Sequence, residues 1–298
     1  MGSKQFRDIA CLEYRLVMKR HPLYIKVMAV IFFLVITSCV KDILYNTPHP
    51  FMGALEVTAD WSAASSDASI PKEYVILTDN HKQVVTEKTN VFNQLLSKGE
   101  HSLVIVNIPE DISLNGKIAS VNIGTDGYLS ASPGYLFAFT KDIYVNADDT
   151  LHITAPLKQL TRRLDIQLTA TEGDYTRVQK ATATLSGIAS TIDIETENRS
   201  KPAQARNVFS KNEKEFTLFF HLLGVIQEQS QILTVDILFT DESTLCVKSD
   251  LTEFLKEYNN GTQPLTLKGS LSLPVEANIA GAGVINWNEI FKGNIDAY

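Results

Sequence analysis

The sequence predicts an all-β protein whose strands fall into two domains of sandwich or barrel type. Three observations carry this. Apolar and polar residues alternate with period two in short runs. Clusters of Gly, Asn, Asp, Pro and Ser separate the runs. Short strands follow one another without the strand–helix alternation of a βαβ pattern.

Taken in order, Leu55, Val57, Ala59 and Trp61 alternate with Glu56, Thr58 and Asp60, as in a half-buried strand. Glu73–Thr78 and Leu103–Ile108 are denser apolar runs, the pattern of strands covered on both faces. Between them, Val91, Phe92, Leu95 and Leu96 share one helical face and Gly99 follows, so a short helix is expected over 91–98. Tyr135–Thr140 and Leu151–Ala155 are further strands. A domain boundary is expected near 155–160, where Pro156 precedes the alternating run opened by Arg162-Arg163. Leu164, Ile166 and Leu168 then alternate with Asp165, Gln167 and Thr169, and Phe216–Leu223, Gln231–Thr240 and Leu265–Leu273 continue the pattern. The polar stretch Glu195–Ser210 reads as a long exposed loop. A second helix is expected over Asp250–Tyr258, with Leu251, Phe254, Leu255 and Tyr258 on one face and Asp250/Glu253 as a capping box.

The N-terminus follows different rules. Basic Lys19, Arg20 and Lys26 precede the uncharged run VMAVIFFLVITS at 27–38. Twelve residues are too few to span a bilayer, which takes about 20. They fit the apolar core of an export signal. The run ends Ile36-Thr37-Ser38-Cys39, small or branched residues before a thiol that can accept diacylglycerol, and this resembles a bacterial lipobox. Residues 1–38 are therefore expected to be removed as a signal peptide and Cys39 to carry lipid. The n-region is either long or begins at Met18. The mature chain keeps 21 of 27 basic and 32 of 34 acidic residues, net −11. Such a chain, without clustered Lys and Arg, is a poor nucleic-acid binder. Of its cysteines, Cys11 leaves with the signal, Cys39 takes lipid and Cys246 has no partner for a disulfide; Cys246 is expected to be a small buried strand residue.

No catalytic constellation, cofactor motif or metal-binding pattern stands out. His49, His81, His101, His152 and His221 are scattered, with no HExxH, nucleophile elbow or phosphate-cradling loop. Asp193, Glu195 and Glu197 alternate, but without the Gly and terminal Glu of a calcium loop they read as a solvated face.

Four stretches in order resemble the Bacteroidales fimbrillin superfamily, and within it the anchor and minor subunits of type V pili. They are the mature start from Cys39 with the strand ending Asp60-Trp61, the run Gly99–Asn107, the pair Arg163–Leu168 and Thr184–Ile188, and Asp250–Glu253 leading to Leu265–Pro274. The resemblance implies two transthyretin-like, Greek-key β-sandwich domains at 39–155 and 156–298 behind the signal at 1–38. It implies a non-catalytic fimbrial subunit on the outer membrane that joins its neighbours by β-strand exchange. Stalk subunits of this superfamily are cut by an arginine-specific protease near the N-terminus, which frees them of lipid and opens the acceptor groove. Here the first arginine after Cys39 is Arg162, so the resemblance implies a subunit that keeps its lipid and serves as an anchor. Asp149-Thr150-Leu151 resembles the short O-glycosylation motif of the same bacteria, which implies Thr150 as an acceptor. The alternative is a surface lipoprotein that binds a glycan or host ligand as an adhesin. The tail after Pro274, with Val284, Ile285 and Trp287, reads equally as a donor strand or as the last strand of its own domain.

Overall fold

The computed structural model describes residues 51–79, 81–274 and 284–291, and within the last segment the side chains of Val284 and Trp287. All of these belong to the compact unit His49–Tyr298; the unit Met1–Pro48 lies outside the described residues.

The first half of the chain forms β1 (Met52–Asp60), β2 (Tyr74–Thr78), β3 (His81–Val85), β4 (Thr89–Val91), β5 (Leu96–Ser97), β6 (Gly99–Val106), β7 (Ile112–Asn115), β8 (Ile118–Val121), β9 (Phe137–Val145), β10 (Thr150–Pro156) and β11 (Lys158–Gln159). The second half forms β12 (Arg162–Glu172), β13 (Val178–Asp193), β14 (Arg199–Val208), β15 (Ser210–Asn212), β16 (Glu215–Leu222), β17 (Ile232–Phe239), β18 (Thr244–Asp250), β19 (Leu265–Ser272) and β20 (Val284–Phe291). Four sheets result. The first runs β10-β1-β4 with β5 also on β1, and the second β11-β9-β6-β2-β3. The third runs β15-β16-β12-β19-β20, and the fourth β18-β17-β13-β8-β7 with β14 on β13. The expected all-β sandwich architecture is what the chain adopts.

Each pair of sheets encloses a core. Leu55, Val57 and Ala59 of β1 meet Tyr74, Ile76, Leu103, Ile105, Phe137 and Val145 between the first and second sheets. Leu164, Ile166, Leu168, Leu185, Phe216, Leu233, Val235 and Leu267 meet between the third and fourth. The dense runs in β2 and β6 are two-faced, as their composition predicts. Tyr74, Ile76, Leu103 and Ile105 point into the first core, whereas Val75, Val104 and Val106 point away from it. That outer face is covered by Ile112, Ala119 and Val121 of the β7–β8 hairpin and by Ile192 and Ile194 at the end of β13, forming a third core. The hairpin is attached to the second half of the chain because β8 pairs with β13, Thr191 opposite Ser120.

Both expected helices are absent. Over 91–98 the chain lies along β1 instead: Val91 pairs with Glu56 and Leu96 with Gly53, while the Phe92 amide donates to the Leu55 carbonyl at 2.8 Å. Phe92 and Leu96 still reach the core, but from strand geometry, so tertiary pairing overrides the helical spacing. Over 250–258 the expected apolar residues Leu251, Leu255 and Tyr258 are buried, and Asp250 Oδ1 accepts from the Thr252 amide at 2.9 Å. Only one turn forms, Leu255 N–H to Leu251 O at 2.9 Å, before a 3-10 turn at Tyr258–Asn260. A nine-residue segment gains too few backbone bonds to offset helix nucleation. The stretch expected as a loop at 195–210 is largely strand β14, held to β13 through Ala203 and Ala205, which turn inward. Cys246 is exposed rather than buried, because it faces outward in β18 while Val247 faces the core.

The passage between the halves is tightly bonded. Gln159 Oε1 accepts from the Ser65 amide at 2.9 Å and its Nε2 donates to the Thr161 carbonyl at 2.8 Å. Arg162 is only 7% exposed; its Nη1 donates to the Tyr258 carbonyl at 2.8 Å, its Nε donates to that of Gln263 at 2.5 Å, and the guanidinium lies 5.1 Å from the Tyr258 ring centre. Arg162→Ala is expected to lower unfolding free energy by about 2–4 kcal/mol, since it leaves buried carbonyls without donors. Urea denaturation checks this; a loss below about 0.5 kcal/mol contradicts it.

Candidate functional site: the seat of the first strand and an aromatic sheet face

For a chain whose sequence points to strand exchange, the chemistry lies in which strands are fixed and which surfaces are open. Strand β1 is fixed on both sides. It runs parallel to β10, from Ala54 opposite Thr150 to Asp60 opposite Pro156, and antiparallel to β4, with Val57 opposite Asn90. Its alternation sends Leu55, Val57 and Ala59 inward with no exposure. The strand enters beneath the 146–149 turn, where the Ala54 amide donates to the Asp149 carbonyl at 2.9 Å and the Asp148 amide to that of Met52 at 2.8 Å. This approach needs a glycine: a Cβ on Gly53 would meet the Asn146 carbonyl oxygen at 2.2 Å. Just outside, Phe51 is 79% exposed. Cys39 lies twelve residues earlier, outside the described residues. β20 pairs antiparallel with β19 of its own chain, Leu265 opposite Phe291, as the last strand of the third sheet.

Thr150 opens β10, an edge strand, and is half-buried; its amide donates to Asp149 Oδ1 at 2.8 Å. The acidic alternation is taken up locally. Asp193 Oδ1 accepts from the Glu195 and Thr196 amides, Glu195 pairs with Lys117 at 2.7 Å and Glu197 with Lys158 at 2.6 Å. Among the described residues no group of three or more His, Cys, Asp or Glu is placed to hold a metal ion.

The histidines differ in role. His49 lies outside the described residues. His81 and His152 are exposed, and His152 Nδ1 is 2.8 Å from Glu56 Oε1. At His101 burial opposes the charged form, but Asp79 Oδ2, 2.5 Å from Nδ1, and the Ser97 carbonyl outweigh it, so the imidazole sits above its ordinary pKa. His221 is different: burial holds its imidazole below the usual value.

His221 belongs to a feature with no local signal in the sequence. On the outer face of the third sheet, Arg163 stands opposite His221 and Asp165 opposite Phe219. The Arg163 guanidinium lies 4.5 Å from the centre of the Phe219 ring, that ring 5.5 Å from His221, and His221 4.8 Å from Tyr135. The Tyr135 hydroxyl donates to Asp67, and Arg163 is anchored by Asp165 at 2.7 Å. Planar groups from three distant segments thus form one row across the join of the two sandwiches. Further along, Arg206 lies 3.8 Å over the Tyr128 ring. Sequence spacing cannot reveal the row, because 67, 135, 163 and 221 meet only through strand pairing.

No family model matches the chain, and no curated protein matches it significantly. Solved structures do. A candidate adhesin from Bacteroides ovatus has a TM-score of 0.58 at 14% identity, over 75% of this chain and 91% of that one. The fimbrial anchor protein Mfa2 from Porphyromonas gingivalis has a TM-score of 0.56 at 11% identity, over 80% and 97%. A candidate polysaccharide-binding protein from Bacteroides thetaiotaomicron has a TM-score of 0.55 at 9% identity, over 80% and 98%. The chain therefore shares its two-sandwich fold with these Bacteroides and Porphyromonas proteins. More particularly, that fold is shared with a fimbrial anchor, in keeping with the resemblance read in the sequence.

Two outcomes follow. Gly53→Val is expected to unseat the start of β1 and speed amide exchange in residues 52–60 more than in 164–168; uniform protection in the variant contradicts this. The second concerns pH. A His with a depressed folded pKa contributes stability that is complete above its unfolded value, about 6.5, and is lost as pH falls through the window below it. Between pH 7.5 and 5.5 the wild type should therefore lose more unfolding free energy than His221→Gln. Equal slopes would remove His221 from the acid response.

Proposed function

We propose that this chain is a non-catalytic structural subunit of a fimbria, exported, cut before Cys39 and kept on the outer membrane by lipid on that cysteine. Its place is the base of the fimbria, where it engages the next subunit by β-strand exchange. We also propose that residues 39–155 and 156–298 are its two domains, with the 112–121 hairpin of the first sheeted into the second.

The observation that carries the anchor reading is the seat of β1. The strand is central in its sheet, three of its side chains are in the core, and no arginine stands between Cys39 and Arg162. Arg162 itself is buried and bonded to two carbonyls. Between Cys39 and Arg162 an arginine-specific protease has no site at which to free β1 from the chain. The groove that β1 fills stays filled, and the lipid upstream stays attached. The fold shared with a fimbrial anchor supports the same reading.

The test is the mass of the N-terminal peptide from purified outer membranes. A diacylated peptide beginning at Cys39 is expected, with Cys39→Ala moving the protein out of the membrane fraction. A mature N-terminus beyond residue 60 would make it a polymerising subunit instead. The second reading, a ligand-binding adhesin, is favoured by the planar row on the third sheet, in which Phe219 is exposed.

A further inference from the structure

We infer that the groove beside Phe219 and Arg206 is a binding site for a carboxylate-bearing saccharide, of the uronic or sialic acid class. The inference rests on the second reading above, that the chain binds a ligand, and is independent of where the lipid sits.

The groove has two joined parts. A narrow part of about 180 Å³ lies between the 129–132 loop, Ala205–Asn207 of β14 and Phe219–His221 of β16. It opens into a depression of about 540 Å³ lined by Arg163, Asp165, Gln167, Ser210 and Thr217. Asn207 and Phe219 line both. The wider part lies within the roughly 300–1,000 Å³ usual for small-ligand sites. Its walls are held by hydrogen bonds. The Leu129 amide donates to the Gln204 carbonyl at 2.8 Å, the Gln204 amide to that of Gly127 at 3.1 Å, and Asn207 Nδ2 to that of Phe219 at 2.8 Å. The loop wall is thus bonded to β14 and β14 to β16, so the groove exists before any ligand arrives.

The chemistry of the walls selects the ligand. Phe219 and Val208 are exposed apolar side chains set among the amides and hydroxyls of Gln167, Asn207, Ser210 and Thr217. That mixture suits a polyhydroxylated ring better than an apolar side chain. Arg163 has its carboxylate, Asp165, beside it. Arg206 is exposed and stacked on Tyr128, with no acceptor for its guanidinium hydrogens among the described residues. Stacking holds the guanidinium plane and leaves its edge free, the pose in which arginine grips a carboxylate through two parallel hydrogen bonds. One uncompensated cation in a wall of neutral donors fits a single carboxylate. It is too little for a polyphosphate backbone, which needs clustered cations.

The test uses the Cys39→Ala protein, which carries no lipid, with two probes, an oligogalacturonate and sialyllactose, each against its methyl ester, and measures binding by calorimetry. The free acids are expected to bind and the esters to bind at least about tenfold more weakly, the loss of one charge-assisted pair. Arg206→Gln should remove the preference for the acid, and Phe219→Ser should weaken acid and ester together; circular dichroism checks that both variants fold. Equal binding of acid and ester, or an acid preference that survives Arg206→Gln, overturns the inference while leaving the ligand-binding reading intact. Binding of hexaglutamate as tight as that of the saccharide acids assigns the groove to acidic peptides and overturns it as well. No binding of any saccharide removes both the inference and the reading beneath it.

Discussion

A sheet with apolar side chains on both faces needs two covers, and that need organises this molecule. β2 and β6 place Tyr74, Ile76, Leu103 and Ile105 on one side and Val75, Val104 and Val106 on the other. Water on either face would forgo burial worth about 1.5–3 kcal/mol per large side chain. The first sheet covers one face. The β7–β8 hairpin covers the other, and it does so as an extension of β13, which belongs to the second sandwich. Leu160, in the passage between the halves, and Leu223 close the same core. The two sandwiches therefore share apolar surface rather than a tether. The buried Gln159 and Arg162 satisfy the backbone groups that this contact takes out of water.

Much of this was legible in the sequence, because period-two alternation survives wherever one face is buried. β1, β12, β16, β17 and β19 all announce themselves so, and the dense runs of β2 and β6 reveal two-sided burial. What escaped is instructive. The 112–121 hairpin carries a turn signal, Asn115-Gly116, with Gly116 at φ 59°, but its strands are four residues each and their partner is seventy residues away. β14 hides because its inward residues are Ala203 and Ala205 and its outward ones include Lys201 and Pro202. Small anchors and polar neighbours look like a loop. The false helix at 91–98 has the reverse cause: its apolar residues are real core residues, spaced by chance as on a helix, and β1 claims their backbone.

The functional surfaces divide along the same line. A lipobox is a local signal and can be read in four letters. The row from Arg163 through Phe219 and His221 to Tyr135 is built by register, Arg163 opposite His221 and Asp165 opposite Phe219, with Tyr135 brought across from the first sandwich. No window of sequence contains it. The histidines are scattered in the sequence, yet one of them, His221, ends up between aromatic rings at the junction, its imidazole held below its ordinary pKa by burial.

The seat of β1 explains why a retained first strand would mark the end of a fimbria rather than its middle. In strand exchange, a donor from another subunit replaces a strand that has left. For β1 to leave, Leu55, Val57 and Ala59 must lose their core and the ladders to β10 and β4 must open. A donor of equal sequence quality would restore these contacts without net gain. The covalently attached β1 competes at an effective concentration of about millimolar, as short linkers give, whereas a donor subunit is far more dilute. Only cleavage removes that competitor. On the proposed reading, a chain whose first arginine after Cys39 is buried beyond the groove would keep its own strand, and polymerisation through this groove would stop at it. Lipid on the same N-terminal segment would then place the stop at the membrane.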